Sequence, residues 1–396
     1  MKMSLIIKIE PDFSTINPKK WNDLHCVSTI NQKSKINPFI SHEFLSALEQ
    51  SGSTKTKTGW GGAHILLEDE AENLLAACPA YLKTHSMGEY VFDQGWADAY
   101  SRAGGNYYPK LQISVPFTPA TAPKLLTGSD ENLVDLKRTL VSSIPEICAR
   151  LGASSAHATF LTEEDKNIFL EAGFLERNDK QYHWFNENYE TFDDFLEALS
   201  SRKRKLIRRE RRDALANGIT IEQLTGSDIK TEHMEAFYTF YIDTGSRKWG
   251  RPYLTRAFFS IIQETMPDQI LLIMAKREGQ YIAGAINFIG DDVLYGRNWG
   301  CIENHPFLHF EVCYYQAMDF AIQKGLKKVE AGAQGEHKLA RGYIPVTTYS
   351  AHYIADPSFR KAVANYLEEE RNYIAELQDT LSEHTPFRRG ERLEDE

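Results

Sequence analysis

The sequence predicts an α/β protein with mixed sheets, built as two similar halves and followed by a C-terminal helix. Strand and helix patterns alternate along the chain, and the order of patterns in the second half returns in the first. A long apolar stripe follows the last strand pattern. Because 396 residues exceed what one hydrophobic core usually serves, we expect two domains, residues 1–187 and 188–396.

The second half has the clearer order of elements. After a basic segment, the periodicity predicts a strand, two helices, three strands, a helix, a strand and a closing strand. The segments are ITIEQLT, KTEHMEAFYTFYIDTG, YLTRAFFSIIQETM, QILLIMAKREG, QYIAGAINFIGDD, VLYGRNWG, FEVCYYQAMDFAIQKG, LKKVEAG and TTYSAHYIAD. Gly325 ends the long helix, since glycine commonly follows a helix in the left-handed conformation. A terminal helix is expected over 356–381.

The first half repeats this order more loosely, from SLIIKI to FLERNDKQYHWF. Two local similarities support a duplication. The segment GEYVFDQGW resembles DVLYGRNWG, and LEAGFLERNDKQYHW resembles LARGYIPVTTYSAHY. We therefore expect the two halves to share one fold.

Composition excludes several classes of protein. Hydrophobic residues make up 42% and charged residues 25%, as in ordinary globular proteins. No apolar run reaches the roughly 18 residues of a membrane span, so we expect a cytoplasmic protein. The five cysteines include no C-x-x-C pair, which favours reduced thiols over a disulfide frame or a zinc knuckle. A net charge of −10 argues against nonspecific coating of nucleic acid by the whole surface.

Four segments carry a resemblance to a known family. They are WADAYSRAGGNYYPKLQISVPFTP, SRKRKLIRRERR, YGRNWGCIENHPFLHFEVCYYQAMDFAI and EAGAQGEHKLARGYIPV. With the element order, they resemble the FemAB-like family, tandem GNAT-fold transferases that include tRNA-dependent peptidyltransferases of the cell wall. The resemblance implies two GNAT-like acyltransferase domains and transfer of an acyl or aminoacyl group to an amine, with a peptidoglycan-precursor-like molecule as a candidate acceptor. It implies an aminoacyl-tRNA or acyl-CoA donor as co-substrate and no tightly bound cofactor.

The segment GAQGEHKLARGY is the first candidate for the site. In a GNAT-like fold, the residues after the second-last strand face the gap between the central strands. Glu336 and His337 are the candidate catalytic bases, and Gly335 lets the backbone approach a substrate closely. Lys338 and Arg341 are candidates for holding a phosphate or carboxylate of the donor or acceptor. The alternative is a polar surface loop that caps the sheet.

The segment NWGCIENHPFLHFE is the second candidate. Cys301, His305 and His309 are spaced by four residues, so a metal site or a cysteine nucleophile is conceivable, but Pro306 interrupts helical periodicity between them. We favour a substrate pocket and predict no metal. The expected pocket residues are Arg297, Trp299, Glu303, His309 and Glu311.

The phosphate-binding loop of coenzyme A-dependent GNAT enzymes is incomplete here. The segment RNWGCI supplies Arg297 and Gly300 but places Ile302 where a small residue belongs, and RAGGNYY has the wrong spacing. This departure favours a tRNA donor. A coenzyme A-dependent N-acetyltransferase remains an alternative, as does a non-catalytic protein that binds a cell-wall precursor or RNA.

The basic segment predicts a helix over 202–217. Eight basic residues and one acidic residue between positions 202 and 212 give a local charge of +7. Helical spacing places Arg204, Arg208, Arg211 and Arg212 near one face, where they could bind the phosphates of tRNA or of a lipid-linked precursor. The alternative is a solvated helix that pairs with acidic neighbours.

The first half offers a separate group of aromatic and charged residues. A group suited to a sugar or peptide acceptor consists of Trp96, Asp98, Tyr108 and Lys110. Aromatic rings can stack on such an acceptor, and charged groups can bind its polar atoms. The alternative is that the rings pack a hydrophobic core.

Overall fold

The computed structural model describes residues 4–24, 37–128, 133–248, 252–332, 335–383 and 385–388, apart from the side chains of Lys248, Glu336 and Glu383. Contacts divide the chain into two compact units. Unit 1 comprises Met1–Asp179, Tyr253–Ile262 and Thr347–Ala375. Unit 2 comprises Lys180–Pro252, Gln263–Val346 and Glu376–Glu396. Two segments from the second half, Tyr253–Ile262 and Thr347–Ala375, therefore belong to unit 1. The predicted single boundary after residue 187 does not include this exchange of segments.

Unit 1 contains two antiparallel-rich sheets and five helices among its described residues up to Asp179. In chain order its elements are β1 (Leu5–Glu10), α1 (Pro18–Asp23), α2 (His42–Gln50), β2 (Trp60–Gly62), β3 (His64–Asp69), β4 (Leu74–Cys78), β5 (Ala80–Lys83), α3 (Gln94–Arg102), β6 (Lys110–Ile113), β7 (Leu126–Thr127), α4 (Leu133–Leu151), β8 (Ser155–Leu161), α5 (Glu163–Glu171) and β9 (Leu175–Phe185), which ends in unit 2.

The strands of unit 1 form a small sheet in the order β1-β3-β4-β7 and a second sheet in which β8, β6, β5 and β2 are neighbours. Strands β6 and β8 are parallel, whereas β5 pairs antiparallel with β6. Helix α4 packs its apolar stripe, including Leu140 and Ile144, on a core with Leu111 and Ala156. This arrangement is the sheet with a covering helix that the first half predicts.

Unit 2 contains most of the remaining elements. In chain order they are α6 (Phe192–Ala198), α7 (Ser201–Ala214), β10 (Thr220–Thr225), α8 (Thr231–Lys248), α9 (Arg256–Thr265), β11 (Ile270–Arg277), β12 (Gln280–Ile289), β13 (Val293–Cys301), α10 (Leu308–Phe310), α11 (Gln316–Lys324), β14 (Lys328–Glu330), β15 (Ile344–Ile354) and α12 (Pro357–Glu383). A five-residue π-helical turn, Glu311–Tyr315, joins α10 to α11. Most of α9, β15 and α12 belongs to unit 1.

The sheet of unit 2 follows the order β10-β11-β12-β13-β14-β9. Its neighbours are antiparallel except for β13 and β14, which are parallel. Apolar side chains such as Leu271, Ile273 and Val329 meet α11 in one core. The element order predicted for the second half is confirmed, and with it the tandem GNAT-like α/β fold.

Several details differ from the sequence-based expectation. The basic helix ends at Ala214 rather than at residue 217, because Asn217 and Gly218 adopt left-handed backbone conformations with φ of 63° and 72°. The segment GEYVFDQGW forms a loop and the first residues of α3, so its local similarity to DVLYGRNWG does not extend to secondary structure. The terminal helix extends to Glu383.

Two further properties concern the described residues only. No helix in this part of the chain combines the length and apolar character needed to cross a bilayer. Within this part of the chain, Cys78, Cys148, Cys301 and Cys313 form no disulfide, whereas Cys26 lies outside the described residues.

Candidate active site

The site begins where β13 and β14 part. The two strands pair only from Val293–Tyr295 to Lys328–Glu330, and β13 then continues to Cys301 without β14 beside it. A bulge lies in the freed part of β13: Gly296 pairs with Asn287 and Asn298 with Ile286, so Arg297 is the extra residue. The parallel pair therefore opens into a gap with an irregular backbone edge.

A cavity of about 100 Å³ occupies this gap. Its wall includes Asn287, Arg297, Asn298, Trp299, His309 and Tyr314. A second cavity, of about 330 Å³, shares Trp299 and His309 with the first and continues past Thr244, Arg247 and Glu303. The two cavities adjoin at these shared residues, and we call them together the β13 cleft. The structure thus brings together three predicted pocket residues, Arg297, Trp299 and His309.

The helix after β13 places a tyrosine in this cleft. Its π-helical turn, Glu311–Tyr315, interrupts the regular helix, and such turns are common at functional sites. Tyr314 lines the smaller cavity and is 4% exposed. Burial raises the pKa of the Tyr314 hydroxyl well above its usual range, so the hydroxyl is protonated at neutral pH.

The predicted catalytic loop forms a short 3-10 turn, Glu336–Arg341, which we call the site turn. The Nε2 atom of His337 lies 2.8 Å from the Tyr314 hydroxyl, so the imidazole reaches the cleft through a hydrogen bond. Gly335 has φ of 112°, and a Cβ atom there would lie 2.6 Å from the His337 ring. Burial, with the charges of Arg341 and Lys338, lowers the pKa of His337. The side chain of Glu336 lies outside the described residues.

Arg341 and Lys338 form their polar contacts with other groups of the protein. The Arg341 guanidinium binds both carboxylate oxygens of Glu210, at 3.0 and 2.6 Å, and donates to the His337 carbonyl at 2.7 Å. The buried Lys338 amine donates to the carbonyls of Ala331 and Gly332 at 2.6 and 2.9 Å. These contacts replace the predicted phosphate contacts of both residues, because buried charges require partners inside the protein.

Helix α7 has two different faces. Ile207, Glu210 and Ala214 are buried at helical spacing. Arg211 also turns inward, where it pairs with Glu311 at 3.0 Å and Asp319 at 2.5 Å. The predicted stripe is therefore divided: Arg211 does not lie on the exposed basic face.

The rest of the predicted stripe is accessible. Arg208 is exposed and pairs with Asp193 at 3.0 Å, Arg212 is exposed beside Asp213, and Arg204 is half-buried. The exposed basic face consists of Arg202, Lys205, Arg208, Arg209 and Arg212.

Glu311, predicted as a pocket residue, is 0% exposed and does not line the β13 cleft. Its partners Arg211 and Gln316 explain this position. Glu303 does line the cleft, where Arg277 binds it through two nitrogens at 2.9 and 3.0 Å and His305 lies 2.7 Å away. Among the residues that the structure describes, no group of His, Cys, Asp and Glu has a geometry that could hold a metal ion.

The predicted acceptor residues of the first half divide into buried and accessible ones. Trp96 packs edge to face on His352 and belongs to a small core, and Lys110 is fully buried with Glu89 and Asp93 as ion partners at 2.6 and 2.5 Å. Core packing and ion pairing thus account for these two. Asp98 and Tyr108 line a separate cavity of about 350 Å³ in unit 1.

Sequence reasoning missed Tyr314 and Glu210. A tyrosine inside an apolar helix pattern gives no signal of its own, since only the π-helical turn directs it to the cleft. Glu210 did carry a signal: it is the single acid in the basic segment and lies three residues after the apolar Ile207. That spacing places it on the buried face, where a carboxylate requires a cationic partner.

Comparisons with known proteins agree with this architecture. The chain matches the FemAB-like family, described as peptidoglycan biosynthesis/recognition, over residues 12–389. No curated protein matches the chain in sequence.

Solved structures resemble this chain at low identity. FemX is 12% identical with a TM-score of 0.54, covering 90% of this chain and 99% of FemX. The C-terminal domain of a candidate lysylphosphatidylglycerol synthetase from Agrobacterium fabrum is 10% identical with a TM-score of 0.52, covering 89% and 95%. A conserved protein of unknown function from Bacteroides thetaiotaomicron is 12% identical with a TM-score of 0.52, covering 88% and 100%. These likenesses show a shared fold, and the family match extends over nearly the whole chain: the protein belongs to the FemAB-like family.

Proposed function

We propose that this protein transfers an acyl or aminoacyl group from a carrier to an amine, and that the transfer takes place in the β13 cleft of unit 2. The observation that carries the proposal is the cleft itself: the bulged edge of β13 and Tyr314 line one small cavity, and His337 is hydrogen-bonded to Tyr314. The family description supports an acceptor of the peptidoglycan-precursor class.

The bulged edge suits the negative charge that develops during acyl transfer. An amine that attacks the donor carbonyl turns its oxygen into an oxyanion, which backbone N–H groups stabilise well. A bulge turns backbone groups away from the regular ladder. We assign the oxyanion to the edge formed by Gly296, Arg297 and Asn298.

The Tyr314–His337 pair suits the leaving group. When the bond between the carbonyl carbon and the carrier breaks, the carrier oxygen or sulfur must gain a proton. The protonated Tyr314 hydroxyl lies in the cavity and supplies it, while the exposed His337 returns a proton from solvent. Glu336 remains a proposed base from its place in the same turn.

The loop before α10 favours a donor other than coenzyme A. A pyrophosphate at a helix start needs several converging N–H groups. Here Pro306 has no N–H, Phe307 adopts a left-handed conformation with φ of 61°, and the Glu303 carboxylate lines the cavity. These features are unfavourable for the binding of a polyphosphate at this position. The exposed basic face of α7 offers instead a surface for the phosphates of an aminoacyl-tRNA.

A donor assay tests this function. Purified protein receives either aminoacyl-tRNA or acetyl coenzyme A, with a soluble peptidoglycan-precursor peptide as amine acceptor, and products are measured by mass spectrometry. We expect acylated acceptor from aminoacyl-tRNA. Product from acetyl coenzyme A alone would instead support the N-acetyltransferase alternative. Tight binding of RNA or precursor without product from either donor would support a binding protein.

The basic face is tested separately. Reversing three exposed cations, Arg202→Glu, Lys205→Glu and Arg209→Glu, is expected to weaken tRNA binding and to reduce its dependence on salt. The matched control reverses the exposed cations Lys19, Lys57 and Arg150 of unit 1, which changes the net charge equally. An equal loss of affinity in both variants would show that only net charge matters.

A further inference from the structure

Glu330 is a buried carboxylate at the point where β13 and β14 part. It forms the last pair of their ladder, opposite Tyr295, and is 3% exposed. Its neighbours Val329 and Ala331 contact the core beneath α11, so strand alternation places the Glu330 side chain on the opposite face of the sheet. Ala331 lines the smaller cavity. The cavity and the carboxylate therefore lie on opposite faces of the sheet at one gap.

The carboxylate is incompletely satisfied by the described residues. Its Oε2 accepts no hydrogen bond from them. The Lys328 amine makes an ion-pair contact with Oε1 at 2.8 Å, and Nε2 of His183 lies 3.9 Å from Oε2. Buried polar atoms are nearly always hydrogen-bonded, whereas Oε2 has no donor within hydrogen-bond distance among the described residues, so the carboxylate can still accept a hydrogen bond from a further ligand.

His183, beside Glu330, is a second buried residue with an unsatisfied polar atom among the described residues. It lies opposite Glu330 in the β14–β9 ladder, is 3% exposed, and its Nδ1 has no hydrogen-bond partner among the described residues. Its Nε2 lies 3.3 Å from Oε1 of Gln181, which fixes the ring. Burial lowers the pKa of His183, although the Glu330 charge opposes this shift. The two residues form a buried acid–base pair at the gap.

We propose that Glu330, in place of Glu336, is the catalytic residue that receives the proton of the acceptor amine, and that His183 is a positioning residue for its carboxylate. This role rests on the proposed acyl transfer and adds the acceptor side to it. A carboxylate with an open acceptor atom suits an N–H donor such as a primary amine. The amine would reach the gap from the Glu330 face, whereas the donor occupies the β13 cleft.

The amine nitrogen bonds to the donor carbonyl carbon and loses one proton to Glu330. The bond from that carbon to the carrier oxygen or sulfur breaks, and the carrier takes the Tyr314 proton. Glu330 then releases its proton to solvent and Tyr314 regains one through His337. In sum, one proton passes from the amine to the carrier.

Several charged and titratable groups surround Glu330, so an experiment must distinguish a catalytic carboxylate from a purely structural ion pair. Lys328 and His183 contact it, Tyr295 faces it in the ladder, and Lys338 lies near enough to affect the His183 pKa. A purely structural ion pair between Lys328 and Glu330 would be lost equally on replacing either partner. A catalytic carboxylate would not tolerate its own replacement.

The experiment compares Glu330→Gln with Lys328→Met in the full chain, using the donor and acceptor that give product with wild-type protein. We expect Glu330→Gln to lower kcat by about 10²- to 10⁴-fold with little change in the KM of the donor, and Lys328→Met to retain most of the turnover. Equal losses in both variants, or full activity in Glu330→Gln, would overturn the role. Absence of turnover in wild-type protein would overturn the proposed function itself.

Chemical rescue provides a readout that a structural role would not produce. Glu330→Ala leaves space for a small carboxylate, so added formate is expected to restore part of its kcat while chloride at equal ionic strength does not. Thermal unfolding identifies variants that fail to fold, in which case Glu330→Gln, nearly equal in volume, carries the test. Folded Glu330→Ala protein without formate rescue would count against proton acceptance by Glu330.

Discussion

Arg341 of the site turn and Glu210 of helix α7 form a two-point ion pair in the interior of unit 2, with nitrogen to oxygen distances of 3.0 and 2.6 Å. The Tyr315 hydroxyl donates to the same carboxylate, and the Arg341 guanidinium lies 3.5 Å from the centre of the Phe310 ring. Arg341 also binds the His337 carbonyl. Helix α7 thereby holds the turn that carries His337.

Glu210→Gln is expected to destabilise unit 2 and to lower turnover, because it leaves the buried Arg341 without its counter-charge. Removing one partner of a buried pair costs roughly 3–5 kcal/mol, measurable by urea unfolding. Arg208→Gln, which breaks the exposed pair with Asp193, is the control and is expected to cost about 0–1 kcal/mol. Similar losses in the two variants would contradict a special role for the buried pair.

Arg341→Lys separates geometry from charge at the same place. Lysine retains the positive charge but cannot make the two parallel contacts with Glu210 or reach the His337 carbonyl at the same time. We expect a smaller stability loss than in Glu210→Gln together with lower kcat. Wild-type turnover in Arg341→Lys would show that the orientation of the site turn does not matter.

Tyr314→Phe removes the hydroxyl that faces the cleft and is expected to lower kcat by about 10²- to 10⁴-fold. The fold should persist, because the ring is retained. Tyr343→Phe is the matched control: its hydroxyl is also buried but has no hydrogen-bond partner among the described residues. Equal effects of the two changes on kcat would contradict the assignment of Tyr314.

The pH dependence of turnover tests His337. Burial lowers its pKa below the usual 6.5, so the imidazole should remain neutral at neutral pH and gain a proton only in more acidic solution. If the neutral ring is required, kcat falls at low pH with a midpoint below 6.5, and His337→Gln loses this limb. A midpoint above 6.5 in wild-type protein would disagree with the partial desolvation of the ring and the nearby charges of Arg341 and Lys338.

We predict that Lys83 of unit 1 makes the free energy of unfolding depend on pH. Its amine lies 3.6 Å from the centre of the Trp60 ring and donates to the Met87 carbonyl at 3.1 Å. Burial lowers the pKa of Lys83 to about 7, against 10.5 for the ordinary amine. Between these values the unfolded chain binds more protons than the folded one, so this amine makes stability rise with pH.

Urea unfolding of wild-type protein and Lys83→Met at several pH values from 7 to 10.5 isolates this contribution. We expect the wild-type free energy of unfolding to rise relative to the variant across that range, by at most about 1.4 kcal/mol per pH unit. A constant difference between the two proteins would show that the folded and unfolded pKa values of Lys83 are the same.

The pattern of elements was open to prediction wherever a local signal exists. Gly325 ends α11 in a left-handed conformation with φ of 65°, as glycine after a helical stripe predicts. The similar segments that begin at Leu170 and Leu339 both lead into strands of 11 residues, β9 and β15. The segment GEYVFDQGW shows the limit of local similarity, because it resembles DVLYGRNWG over nine residues yet forms a loop and the start of α3.

The structure brings several of the predicted candidate residues together, but the sequence did not show which groups they contact. Trp299 and His309 line the cleft as expected, and His337 reaches it, because their positions follow from the order of strands. Arg211 illustrates the opposite case. Helical spacing assigned it to a basic stripe, yet Glu311 and Asp319, 100 and 108 residues further along the chain, draw it inward.

The sequence by itself determined which segments become strands and helices, and hence the tandem GNAT-like order, because periodicity, capping and glycine placement act over a few residues. Only the tertiary structure decided which charges face solvent and which are buried in pairs. Glu210 and Arg341 are 131 residues apart. No local pattern links such a pair, because burial and the ion pair arise only when the folded sheet brings the two segments together.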